Sequence, residues 1–311
     1  MDTIYQMENN LPKITVVTVV LNLIANNRID MFRKCVQSIK EQTYSNIEHL
    51  VIDGASTDGT VDILRDMNLH FLSEKDAGIY DAMNKGTLRA TGKYIIFMNS
   101  DDYFTSPRSI EHVIHVFQKT NADAVYGQSI IIDDSKKTKK HKKYQVETFY
   151  YHMPICHQSF IYTVSSLKEI GLLDKTYKIA ADYNSVYKLI LSGKLIVPVH
   201  HVISNFTLGG ISTTNQQKSK EESIRVIFEN LSHLREDIDM KKARQIAESH
   251  FLPFSLYWQI RTCIHAQLRK SFDYIYFKSF FHILRRYLFI FHFKKNKRYI
   301  RFLGITIYNR K

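Results

Sequence analysis

The chain has 311 residues, 44% of them hydrophobic, and a formal net charge of +13. Its 11 glycines and 5 prolines exclude collagenous and low-complexity classes. Its 3 cysteines, Cys35, Cys156 and Cys263, are too scattered for a disulfide framework or a zinc site.

The amino terminus, Met1-Asp2-Thr3 followed by Glu8, lacks the basic start and apolar run of a secretory leader. No stretch of about 18 apolar residues is free of charge. A cytoplasmic protein is the resulting expectation. The first run, Ile14 to Val20, is β-branched and predicts a strand buried on both faces. Phe32, Cys35, Val36 and Ile39 follow the spacing of an amphipathic helix. Glu48 to Asp53 predicts a second strand ending in a carboxylate, and Asp58 caps the next helix, which carries Val61, Leu64 and Met67. A short strand at His70–Leu72 precedes a helix starting near Tyr80. Tyr94 to Met98 is a further buried strand, ending at Asn99-Ser100-Asp101-Asp102. Ser106-Pro107 predicts a helix start, with Ser as cap and Pro at the first position. Ala124 to Ile132 reads as a strand, followed by a hairpin loop rich in lysine from Lys136 to Lys143. A helix is expected from about Asp182 to Leu191, and helix throughout from about Gln216.

This alternation predicts an α/β fold, a mostly parallel sheet with helices on both faces. Ligands in such folds bind beyond the carboxyl ends of the strands. Asn22, Asp53, Asp101 and Asp102 all fall there. The adjacent acids of Asn99–Asp102 are hard oxygen ligands suited to Mg²⁺ or Mn²⁺. Asp53 can accept hydrogen bonds from a base or ribose. Asp76, Asp81, Asn84 and Lys85 are suited to sugar hydroxyls and phosphate. There is no Gly-x-Gly-x-x-Gly spacing and no Walker lysine.

Four blocks carry a resemblance: Thr18–Asn22, Val51–Thr60, Glu74–Gly86 and Ala90–Asp102. In this order they resemble family 2 glycosyltransferases, inverting enzymes with the GT-A fold, and among these the bacterial enzymes of capsule, O-antigen and exopolysaccharide synthesis. The resemblance implies a GT-A domain over 11–215, with a helical, basic and aromatic region at 216–311. It implies a nucleotide-sugar donor, with UDP the expected nucleotide, and a glycan or lipid-linked acceptor. Thr18, Asn22 and Asp53 are implied around the nucleotide, and Asp76, Asn84 and Lys85 near nucleotide and diphosphate. Asn99–Asp102 stands where the family has its Asp-x-Asp metal motif. Asn99 replaces the first acid, so the ribose falls to Asn99 and the metal, Mn²⁺ or Mg²⁺, to Asp101 with Asp102. The family's general base is an acid opening a helix in the second half, often after Glu; here the sequence is Ala180-Ala181-Asp182, which makes Asp182 the candidate base. His157 and Gln158, before a strand, are candidates to line the acceptor side.

Phe251 to Lys311 holds thirteen Lys or Arg residues against one acid, Asp273. Within it, the aromatic run Phe280–Phe293 flanked by Lys294, Lys295, Lys297 and Arg298 has the composition of a segment lying on anionic lipid. Peripheral contact with the cytoplasmic face of the inner membrane is therefore expected, with packing on the catalytic body as the alternative. Nucleic-acid binding is the first rival reading, suggested by the charge, but no helix-turn-helix, zinc or RNP pattern accompanies it. A sugar-phosphate nucleotidyltransferase would need a Gly-rich basic loop after the first strand, where Leu21–Ala25 stands. A catalytically inactive sugar-nucleotide-binding homologue is the third alternative, resting on Asn99 and the missing Glu.

Overall fold

A computed structural model describes residues 11–133, 135, 137–288, 290–294, 297–302 and 305–309, leaving out side chains at 211, 212 and from 282 onward. The first half runs β1 (Ile14–Val20), α1 (Ile29–Lys40), β2 (Ile47–Asp53), α2 (Thr60–Asp66), β3 (Phe71–Ser73), α3 (Ile79–Arg89) and β4 (Tyr94–Phe97). These strands pair in parallel in the order β3-β2-β1-β4. The helices are the crossovers that parallel pairing requires. Alternation along β1 assigns its faces: Val16 packs with Cys35 of α1, and Val17 packs with Met83 of α3. Gly86 lets α3 approach closely, because a Cβ there would lie 2.5 Å from Val17 Cγ1.

The chain then forms β5 (Tyr103–Phe104), α4 (Ser109–Thr120), β6 (Ala124–Asp133), β7 (Thr138–Lys142), β8 (Phe160–Thr163), α5 (Val164–Glu169), α6 (Ala181–Leu191) and β9 (Ile196–Thr207). Beyond β4 the sheet continues β8-β6-β9-β5, with β7 paired to β6, making nine strands in all. β8 runs antiparallel to β4 and β6, while β6 and β9 are parallel. Two local expectations shift. The helix after Pro107 begins at Ser109, because Ser106 is spent on a turn in which its Oγ accepts from Arg108 N. The lysine-rich segment is mostly strand: Lys139, Lys140 and Lys142 lie on exposed β7, paired to β6; Lys136 lies outside the described residues.

Past residue 207 come α7 (Ile211–Thr214), α8 (Gln216–Ser232), α9 (Met240–Ser249), α10 (Phe254–Cys263) and α11 (Ala266–Leu288). Ile224, Leu231, Ile246, Leu256 and Phe272 from these helices share one apolar cluster with Met83 of α3 and Tyr187 of α6. The chain does not stay helical to its end: β10 (Ile290–Lys294), β11 (Lys297–Phe302) and β12 (Ile305–Asn309) form an antiparallel meander. The expected lipid-facing run Phe280–Arg298 therefore falls mostly on residues whose side chains lie outside the description. Among the described residues no helix is long and apolar enough to cross a membrane.

Candidate functional site

The carboxyl ends of β1, β2 and β4 bring three loops together. At the end of β2, Asp53 is fully buried and accepts from Ser56 N (3.0 Å), from Ser56 Oγ, and from Ser73 Oγ (2.6 Å). It closes the loop rather than facing outward. Asn22, with a positive φ of 48°, accepts from Thr57 N through Oδ1 (3.0 Å), and its own N–H donates to Ser56 Oγ (2.7 Å). Asp58 ties the same loops, accepting from Ala25 N and Thr60 N. Asp76 caps Gly78 N (2.8 Å) and its Oδ2 lies where a Cβ on Gly54 would intrude.

Four expected ligands are engaged by the protein itself. Thr18 points between β1 and α1, with Oγ1 3.1 Å from His49 Nε2, and is fully buried. Asn84 sits on the buried stripe of α3 and clasps Leu173, donating to its carbonyl (2.7 Å) and accepting from its N–H (3.0 Å). Both side chains are buried. Lys85 Nζ donates to the Lys75 carbonyl (2.6 Å) and pairs with Glu74 (3.1 Å). Asp81 pairs with Lys175 (3.0 Å).

The turn after β4 divides its polar groups. Asp101 Oδ2 meets Arg28 Nη1 at 2.6 Å, an arginine that nothing in the sequence pattern singles out. Asp102 turns inward: Oδ1 accepts from Thr207 N (2.9 Å) and Oδ2 from Gln158 Nε2 (2.5 Å). Burial, and then the Asp101 charge, push the Asp102 carboxyl up to about 7. Among the described residues no group of three or more His, Cys, Asp or Glu is placed to hold a metal. Asp101 remains as a single carboxylate, the number that Mg²⁺-like ions take when phosphates complete the shell. The donor set thus fits a metal carried on a diphosphate. It does not form a closed protein cage, and Asp102 is not an open ligand.

β8 brings the second half to this turn, since it runs antiparallel beside β4 with Ile96 opposite Ile161. The 3₁₀ turn before it, His157–Ser159, is therefore wedged against Asn99–Asp102. His157 and Gln158 are not free to line an acceptor surface: Gln158 is buried on Asp102, and His157 lies between Asn99 Nδ2 (3.1 Å from Nε2) and Asp182 Oδ2 (3.3 Å from Nδ1). Asp182 opens α6, with its side chain 18% exposed. Its Oδ1 accepts from Tyr183 N (2.8 Å) and lies 3.4 Å from Tyr80 Oη. Ala181, where the resemblance often implies Glu, is fully buried, so a charge there would be stranded.

Glu222 of α8 completes the frame. Its carboxylate accepts from Lys178 N (3.0 Å), Ile179 N (2.7 Å) and Ala180 N (3.0 Å), fixing the loop that delivers Asp182. No local pattern marks it, because its partners lie more than 40 residues away in sequence.

The sequence profile of glycosyl transferase family 2 matches residues 22–186. A PGL/p-HBAD biosynthesis glycosyltransferase of Mycobacterium bovis is 27% identical over 212 residues, covering 65% of this chain and 80% of that protein. An uncharacterized glycosyltransferase of Rickettsia prowazekii is 28% identical over 204 residues, 61% of this chain and 63% of its own length. Among solved structures, S. aureus TarS 1-349 in complex with UDP-GlcNAc aligns with a TM-score of 0.58 at 16% identity, covering 96% of this chain and 99% of that one. The mannosyltransferase PcManGT of Pyrobaculum calidifontis, in complex with GDP-Man and Mn²⁺, aligns at 0.56 and 16%, covering 90% and 82%. These structural likenesses establish the shared GT-A fold.

Proposed function

The chain belongs to glycosyl transferase family 2, and from that premise we propose that it transfers a sugar from a nucleoside-diphosphate donor with inversion at the anomeric carbon. The acceptor is a hydroxyl of a glycan or lipid-linked intermediate of bacterial surface polysaccharide. The observation that carries this reading is the meeting of Asp182 with the turn after β4, bridged by His157. An acid from the second half thus stands beside the donor-side turn of the first.

In the reaction the acceptor oxygen bonds to the anomeric carbon and the carbon–oxygen bond to the nucleoside diphosphate breaks. The acceptor proton passes to Asp182. Asp101 is the residue that would hold a divalent ion, Mn²⁺ or Mg²⁺, which when bound supplies neutralisation of the departing diphosphate. Arg28 brings a fixed positive charge to the same place.

Uridine is the proposed base, supported by the UDP and UDP-GlcNAc complexes of the TarS neighbours; the GDP-Man complex of PcManGT makes guanosine the comparison. The sugar is proposed to be a hexose or N-acetylhexosamine. Membrane contact from the cytoplasmic side is proposed through the basic region, supported by Phe254, Trp258, Phe277 and Phe281 exposed on α10 and α11. The inactive-homologue reading rests on Asn99 and Ala181, and donor hydrolysis separates the two.

Isothermal titration of UDP with and without Mn²⁺, on wild type and Asp101→Ala, tests the site. Mn²⁺-dependent binding that the substitution weakens at least tenfold is expected. Binding that ignores both metal and substitution would remove Asp101 from the donor site.

A further inference from the structure

The His157 ring is half-buried between two elements and contacts each through a different nitrogen. Nδ1 lies 3.3 Å from Asp182 Oδ2 on α6, and Nε2 lies 3.1 Å from Asn99 Nδ2 at the end of β4. The next residue, Gln158, holds Asp102. One short turn therefore grips the candidate base with one side chain and the donor-side turn with the next.

We propose that His157 is a positioning residue for Asp182, and that Asn99 serves this histidine. The inference rests on Asp182 being the acceptor base. Asp182 Oδ1 is committed to Tyr183 N, which leaves Oδ2 to take the acceptor proton. A neutral imidazole carrying its proton on Nδ1 directs one lone pair of Oδ2 and leaves the other free, since each carboxylate oxygen can accept twice. Nε2 then needs a donor, and the Asn99 amide supplies it. Asn99 Oδ1 is buried without a hydrogen-bond partner. Rotating that amide by half a turn presents the oxygen to a protonated ring instead. Asparagine thus serves either state of His157. An aspartate at 99 could only accept, and would draw the ring's proton away from Asp182. The departure from the family's first acid gains a physical reason here.

The charged groups facing the ring are Asp182 from α6 and Asp101 and Asp102 from the turn after β4, with Arg28 already paired to Asp101. Burial opposes the charged imidazole, but Asp182, Asp102 and Asp101 outweigh it and hold His157 above the ordinary histidine range.

Two measurements on the full chain test this. The first is ¹⁵N NMR of the imidazole in wild type and Asp182→Asn, without any ligand. A ring proton on Nδ1 at high pH and a downward pKa shift in Asp182→Asn are expected; an Nε2–H tautomer indifferent to the substitution overturns the proposal. The second is hydrolysis of UDP-N-acetylglucosamine and UDP-glucose by His157→Ala and His157→Gln. His157→Ala is expected to lower kcat by roughly 10–100-fold with donor KM within about twofold, the size expected when a reacting group is misplaced by an ångström. His157→Gln, which can still hydrogen-bond Asp182, should recover part of the rate and lose the imidazole limb of the pH profile. Full activity in His157→Ala while Asp182→Asn is inactive overturns the positioning role alone. Full activity in Asp182→Asn overturns the base assignment and this inference with it.

Discussion

Asn84→Ala separates two roles that one side chain was open to. The amide bonds both backbone groups of Leu173, at 2.7 and 3.0 Å, and both residues are buried. Leu173 follows two residues with positive φ, Gly171 at 88° and Leu172 at 64°, so its orientation is fixed by the chain on one side and by Asn84 on the other. Alanine removes both partners and leaves a buried N–H and a buried C=O unmet, each costing about 1–3 kcal/mol. The expected loss is roughly 2–6 kcal/mol, a large share of the 5–15 kcal/mol typical of folded domains. The assay is urea unfolding, followed by UDP titration of the folded fraction at low temperature. A clearly lower urea midpoint with UDP affinity within about twofold is expected. An unchanged midpoint with UDP affinity reduced tenfold would refute the reasoning and return Asn84 to the donor site.

Glu222→Gln weakens the acceptor for three backbone amides while keeping its shape; about 1–2 kcal/mol of stability should go, since hydrogen bonds to charged groups are the stronger kind. Donor hydrolysis should slow about tenfold with UDP affinity kept, and equal loss of both would detach α8 from the Asp182 loop. His49 is half-buried beside Thr18, and its desolvation followed by the Lys40 charge lowers its pKa to about 4. The unfolded chain takes up that proton near 6.5 and the folded chain only near 4. Stability is therefore intact above 6.5 and declines as pH falls through the window, by at most about 3 kcal/mol at 1.36 kcal/mol per unit. His49→Gln should flatten urea midpoints between pH 6.5 and 4, and an unchanged slope would mean that other groups carry the acid loss.

The apolar runs of β1, β2 and β4 are legible from composition because these strands are covered on both faces. Asp53 and Asp101 stand at the ends of predicted strands, which depend only on local signals, whereas Asp182 as the base is what the family resemblance implies. What local signals do not give is the direction of a polar side chain. Thr18 follows Val16 on the face toward α1, and Asn84 shares the buried stripe of Tyr80, Met83 and Thr87. Helical spacing alone would have marked Asn84 as an internal clasp, had its stripe been counted before its chemistry. Arg28, Tyr80 and Glu222 reach the site only through pairings distant in sequence, and no window of neighbouring residues contains that information.

The connection after Asp102 has a consequence for how the molecule is made. β4 lies in the middle of the sheet, yet β5, starting one residue after Asp102, is at its far edge, paired with Ser204 and Asn205 of β9. Asp102 itself is anchored by Thr207 N. The turn that reads as the heart of the first half cannot take its final shape until a strand 100 residues later has docked. Such long-range closure slows folding, and during synthesis it delays the site until β9, and then Glu222, have left the ribosome. Truncation before residue 207 should therefore yield the parallel strands without the turn's final geometry.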